Sequence, residues 1–93
     1  MKRSEVLAAA DRLVHGDRNR DYGDPTQNHE NIGMIWGAIL NLGEPIPAPV
    51  VAAMMAGVKL ARIGHSPLHE DSWVDLAGYA AVGGEAAEKY VGR

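Results

Sequence analysis

Apolar residues recur at helical spacing in four stretches of this chain, and no stretch shows the strict alternation of a half-buried strand. The first stripe is Val6, Leu7, Ala10, Leu13 and Val14, with Ser4 as a suitable N-cap and His15-Gly16 as a stop. The second follows "DPTQ", where Asp24 can cap, Pro25 suits the first helical position and Gln27 suits a capping box. Its apolar set, Ile32, Ile35, Trp36, Ile39 and Leu40, is spaced i, i+3, i+4, i+7, i+8. Asn41-Leu42-Gly43 ends it, and "EPIPAP" forms a stiff connector. A third helix is expected over about 49–63, with Val51, Met54, Met55, Val58 and Ala61 inward and Gly64 as its stop. A fourth is expected over about 70–90, with Trp73, Leu76, Ala77, Ala80 and Ala87 inward. Gly78, Gly83 and Gly84 each cost about 1 kcal/mol against Ala in a helix, so they point to close approach of a neighbour or to a bend.

The pattern predicts an all-α fold, a compact four-helix bundle in a single domain spanning 1–93. Composition adds one constraint. With two Trp, three Tyr and no Phe, the core rests on small and aliphatic side chains, so the helices must pack closely or be completed by oligomerisation. The net charge of −3 and the lack of a basic tract argue against direct nucleic-acid binding. Arg12, Arg18 and Arg20 do cluster, but Asp11, Asp17, Asp21 and Asp24 interleave with them. The absence of cysteine excludes thiolate metal sites and fits a cytoplasmic protein. No run of about 18 apolar residues suggests a membrane span, and Glu5 and Asp11 interrupt any signal-peptide core.

Three polar groupings could carry chemistry. Asp71 and Asp75 lie one turn apart at the start of the fourth helix, where like charges repel unless a cation sits between them. That cation could be Mg²⁺, which prefers carboxylate oxygens. It could equally be Lys59 or Arg62, one turn apart on the third helix; in the structural reading Asp71 complements the helix dipole and Asp75 pairs with Arg62. Lys59 and Arg62 in the third helix suit phosphate or an ion-paired stripe. In the loop before the second helix, Arg20 and Tyr22 can meet a ligand, Tyr22 by stacking on a base or else by folding onto the core. Asn28 and His29 open the second helix, and Asn28 is either a base-reading amide or a buried structural one. His65 and His69 are separated by Pro67 and make no helical metal pair. The chain shows no Ser-His-Asp arrangement, no Walker loop and no GxGxxG, and no catalytic residue is assigned.

Together, "DRNRDYGDPTQNHENI" and "VAAMMAGVKLARIGHSPLHEDSWVDLAGYA" resemble a family of small phage and prophage proteins. Those share a D-Y-G-x-P-x-x-N pattern, a K-x-x-R helix and a D-S-x-x-D-x-x-G-Y segment, and the resemblance spans about residues 11–82. The family is similar to phage domains called nucleotide-modification-associated. More distantly it is similar to the all-α MazG-type nucleoside triphosphate pyrophosphohydrolases. The MazG likeness implies a dimer or tetramer and Mg²⁺ held by acids from two helices. It would assign Asp71 and Asp75 to the metal and Lys59 and Arg62 to the phosphates. The departure is that the third helix holds no acid and the second only Glu30.

Three functions remain open on these residues. One is a binder of a nucleotide, cyclic nucleotide or nucleotide-derived signal, in a cleft formed by loop 17–29 and the third and fourth helices. Arg20, Tyr22, Asn28, Lys59, Arg62 and Asp75 would form its site. The others are Mg²⁺-dependent hydrolysis of a nucleotide phosphoanhydride and a non-catalytic factor that binds a host protein. Geometry separates them: a ligand site needs these residues, with Asp71, to converge on one cleft, whereas Lys59 and Arg62 consumed by Asp71 and Asp75 in a dry interface would make the motifs structural.

Overall fold

The computed structural model describes residues 1–16 and 23–90, and within them every regular element is helical. α1 spans Arg3–His15, α2 Pro25–Ile39, α3 Ala48–His65 and α4 Glu70–Ala87, followed by a short 3₁₀ turn at Glu88–Tyr90. The all-α, four-helix reading holds. α3 and α4 make the largest packing surface, α1 lies on α4, and α2 lies mainly on α3. Among the described residues no helix is long and apolar enough to cross a membrane.

The helix boundaries follow local chemistry. α1 begins one residue before Ser4. Lys2 holds the cap position, and the Glu5 carboxylate accepts its backbone N–H at 3.1 Å. Asp24 caps α2 as expected, accepting the Gln27 N–H at 3.1 Å. The reciprocal half of the box does not form, because the Gln27 amide donates instead to Asn31 at 3.1 Å. α3 runs past Gly64 and closes where the Ser66 N–H meets the Arg62 carbonyl at 2.8 Å. The segment before α4 is tied down from both sides. The Trp73 indole donates to the Pro67 carbonyl at 2.8 Å, and the N-terminal ammonium pairs with Glu70 at 3.0 Å.

The buried faces differ from those the large apolar residues suggest. In α2 the inward positions are His29, Gly33 and Gly37, while Ile35, Ile39 and Leu40 are exposed. The cause is the connector. It folds back over the glycine side of α2, where the Ile46 N–H bonds the Gly33 carbonyl at 3.1 Å and the Leu42 N–H bonds the Gly37 carbonyl at 3.0 Å. A Cβ at Gly37 would stand 2.5 Å from the Glu44 carbonyl oxygen, so only glycine lets the strap lie flat. Asn41 and Gly43 make the reversal at φ of 55° and 81°.

In α3, Ala48, Val51 and Ala52 are buried, and Met54, Val58 and Ala61 face outward. In α4 the buried set is Ser72, Val74, Gly78, Val82 and Ala86, while Trp73 and Ala80 are exposed. Gly83 lets α4 approach α3, since a Cβ there would meet the Ala52 methyl at 3.0 Å. Gly78 faces Val14 and Leu13 of α1 at 3.4 and 3.7 Å. Gly84 faces open space.

Candidate functional site

The rotation of α3 that leaves Met54 and Val58 outside turns Lys59 inward. Its ammonium meets the Asp75 carboxylate of α4 at 2.9 Å, with side-chain exposures of 14% and 28%. The cross-helix pair is therefore Lys59–Asp75, and not the Arg62–Asp75 pair that spacing suggested. Arg62 and Asp71 are exposed, and neither forms an ion pair within the described residues.

Beside this pair lies a cleft of about 160 Å³. α2 contributes Pro25, Asn28 and His29, α3 contributes Lys59, and α4 contributes Asp75, Gly78, Tyr79 and Val82. Leu13 and Val14 of α1 and Gly23 of the loop complete the wall. The three sequence motifs, separated along the chain, thus meet at one place. Asp75 and Tyr79 are one turn apart on α4, so one helix face supplies both a carboxylate and a ring.

His29 is the polar centre of the cleft. It is 5% exposed, and its ring stacks on Tyr79 with centroids 5.8 Å apart and planes inclined by 26°. Its Nδ1 is buried and has no hydrogen-bond partner among the described residues. Desolvation holds its pKa below the ordinary imidazole value, so it stays neutral near pH 7. A buried polar atom without a partner costs about 1–3 kcal/mol, which a ligand bonding to it would recover.

Of the expected site residues, Asn28, Lys59 and Asp75 come together, while Arg62 and Asp71 do not line the cleft. Arg20 and Tyr22 lie outside the described residues. His29 and Tyr79 join the site without having been assigned to it. Asn28 lines the cleft but is exposed, and its neighbour His29 takes the inward position. The legible signal for Tyr79 was its place four residues after Asp75.

A MazG-type Mg²⁺ site would need Asp71 and Asp75 to converge with further acids. Asp75 already holds an ammonium, Asp71 is exposed, and no group of three or more metal-type ligands gathers among the described residues. The donor set does not fit that metal centre.

Comparison with known proteins places residues 5–87 in a family described as a domain of unknown function, DUF6378. The chain is similar to the Gene 55 protein of Mycobacterium phage L5, with 43% identity over 77 residues, covering 83% of this chain and 49% of that protein. It is also similar to the Gene 55 protein of Mycobacterium phage D29, with 39% identity over 75 residues, covering 81% and 48%. The chain thus spans about half the length of these relatives. No solved structure matches it significantly.

Proposed function

Since the chain belongs to the DUF6378 family and is similar to phage proteins, we propose that it binds a nucleotide or nucleotide-derived signal, with the base in the cleft of Asn28, His29 and Tyr79. The observation that carries this reading is the convergence of three separated motifs on one cleft containing a buried imidazole whose Nδ1 has no partner among the described residues. Size supports a base as the inserted group. The cleft holds about 160 Å³, and a cavity of about 150 Å³ accepts a benzene ring. A whole nucleotide is larger than this, so its sugar and phosphates extend from the mouth.

Charge argues the same way. Lys59 is already neutralised by Asp75, so the cleft floor offers no net attraction to phosphate. It offers instead donors and acceptors suited to base edges and sugar hydroxyls, beside rings that stack on a heterocycle for about 1–3 kcal/mol per base. Asn28 adds an amide that both donates and accepts. Arg62, exposed one turn beyond Lys59 on α3, would meet phosphates outside the cleft.

The test is a thermal-shift screen of nucleosides, nucleotides, cyclic dinucleotides and NAD-derived compounds, with and without Mg²⁺. A ligand at about 100 times its dissociation constant adds about 2.7 kcal/mol of stability. The expected hit is independent of Mg²⁺, contains a base, and is lost in Asp75→Asn while the folded spectrum persists. A hit that requires Mg²⁺ would turn the reading to hydrolysis. Silence across every base-containing compound would remove the proposal.

A further inference from the structure

The outer faces of α2 and α3 are apolar, and nothing among the described residues covers them. On α2, Met34, Ile35 and Ile39, and just beyond its end Leu42, are each more than half exposed, Ile39 by 73%. On α3, Val50, Met54 and Val58 are exposed in an i, i+4, i+8 row, with Ala53, Gly57 and Ala61 beside them. A Cβ added at Gly57 would meet nothing within 4 Å. These are the positions that a helix turns toward a partner, and small residues among larger ones admit a close one.

From this we infer that a second copy of the chain covers the α2–α3 face, forming a two-fold dimer.

Area supports that occupant. A standard interface takes about 800 Å² from each partner, and the seven large apolar side chains just named, exposed by 42–73%, supply area of that kind. The core within one chain is correspondingly thin. Half of its buried apolar residues are alanines, and Val51 is its largest fully buried side chain. A surface that completes the core belongs to permanent assembly rather than to brief encounter.

Charge selects a copy of the same chain. Between Asn31 and Val58 the only charged residue is Glu44. A partner that presented charges to such a face would desolvate them without compensation. A second copy presents the same uncharged face at equal concentration, and a two-fold axis makes that face its own complement. The cleft lies on the inner side of α2, with His29 buried there, so dimerisation leaves the proposed binding site independent.

Sedimentation equilibrium of the full chain at micromolar concentration should give twice the 9.9 kDa chain mass. Ile35→Glu and Met54→Glu should shift it to monomer, whereas Leu68→Glu, at a position 93% exposed on the loop before α4, should not. Should the face variants unfold, cross-linking decides the matter. The chain has no cysteine, so Val58→Cys can form a disulfide only between copies. It should cross-link on oxidation, and Leu68→Cys should not. A monomeric wild type, or a dimer indifferent to both face substitutions with no Val58→Cys cross-link, would overturn the inference. A monomer that instead binds vesicles or another protein would assign the face to that occupant.

Discussion

His29 combines three properties on one side chain: burial, a nitrogen with no partner among the described residues and a ring stacked on Tyr79. The first has a consequence for stability. A free imidazole titrates near pH 6.5, and burial holds His29 below that value. Above pH 6.5 the side chain is neutral in folded and unfolded chains alike and contributes no pH dependence. As pH falls through 6.5, the unfolded chain takes up a proton that the folded chain refuses, so stability declines. The decline ends once pH passes the folded-state value. Tyr79 stacks on this ring and Lys59 and Asp75 line the same cleft, so their charges are the background to the titration. His29→Phe keeps a ring for stacking and removes the proton site. Urea unfolding at about pH 7.5 and 5.5 should show a smaller acid-side loss in the variant. Equal losses would mean that other groups set the slope. The same variant should weaken binding of any base-containing ligand, since the polar ring nitrogen goes while the stack stays.

At the scale of elements, α2 shows how a helix can carry two faces of different kinds. Gly33 and Gly37 make one face, on which the returning connector lies, and Ile35 and Ile39 belong to the other. The sequence showed the second face clearly through its i, i+3, i+4 spacing. Periodicity reports that an apolar face exists, but not which partner covers it, so from sequence alone the stripe points to the bundle interior. The glycine spacing was equally visible, but its meaning depends on where the connector goes. In α3 the sequence offered both Lys59 and Arg62, one turn apart, as partners for the acids of α4, and spacing alone did not say that Lys59 is the one that turns inward to Asp75. The Asp24 cap was legible because it needs only three residues of local chain. Glycine substitutions test this account. Ala is favoured over Gly in a helix interior by about 1 kcal/mol. Gly84→Ala, facing open space, should therefore stabilise by up to that amount. Gly33→Ala drives a methyl into the Ile46 carbonyl and should destabilise instead, by about 1–3 kcal/mol as overpacked sites do. Chemical denaturation of the two variants would measure the contrast, and gain in both would dissolve the role given to the connector.

At the scale of the molecule, the radius of gyration of 14.0 Å exceeds the roughly 13 Å of a compact 100-residue domain. The chain measures 42 × 29 × 28 Å, so its long axis leaves a broad flank relative to its volume. A small domain already buries a modest fraction of its surface, and an elongated one buries less. If two copies share the α2–α3 face, folding and association are one equilibrium, and its midpoint depends on concentration. Each tenfold rise in protein concentration then adds about 1.4 kcal/mol per dimer. For a cooperative unit of two such chains, 1 kcal/mol corresponds to about 2–4 °C, so Tm should climb by about 3–6 °C per tenfold. Met54→Glu, if it still folds, should melt lower and at a Tm independent of concentration. Calorimetry of the wild type across two decades of concentration would decide this: a constant Tm would mean that the single chain holds its fold without a partner.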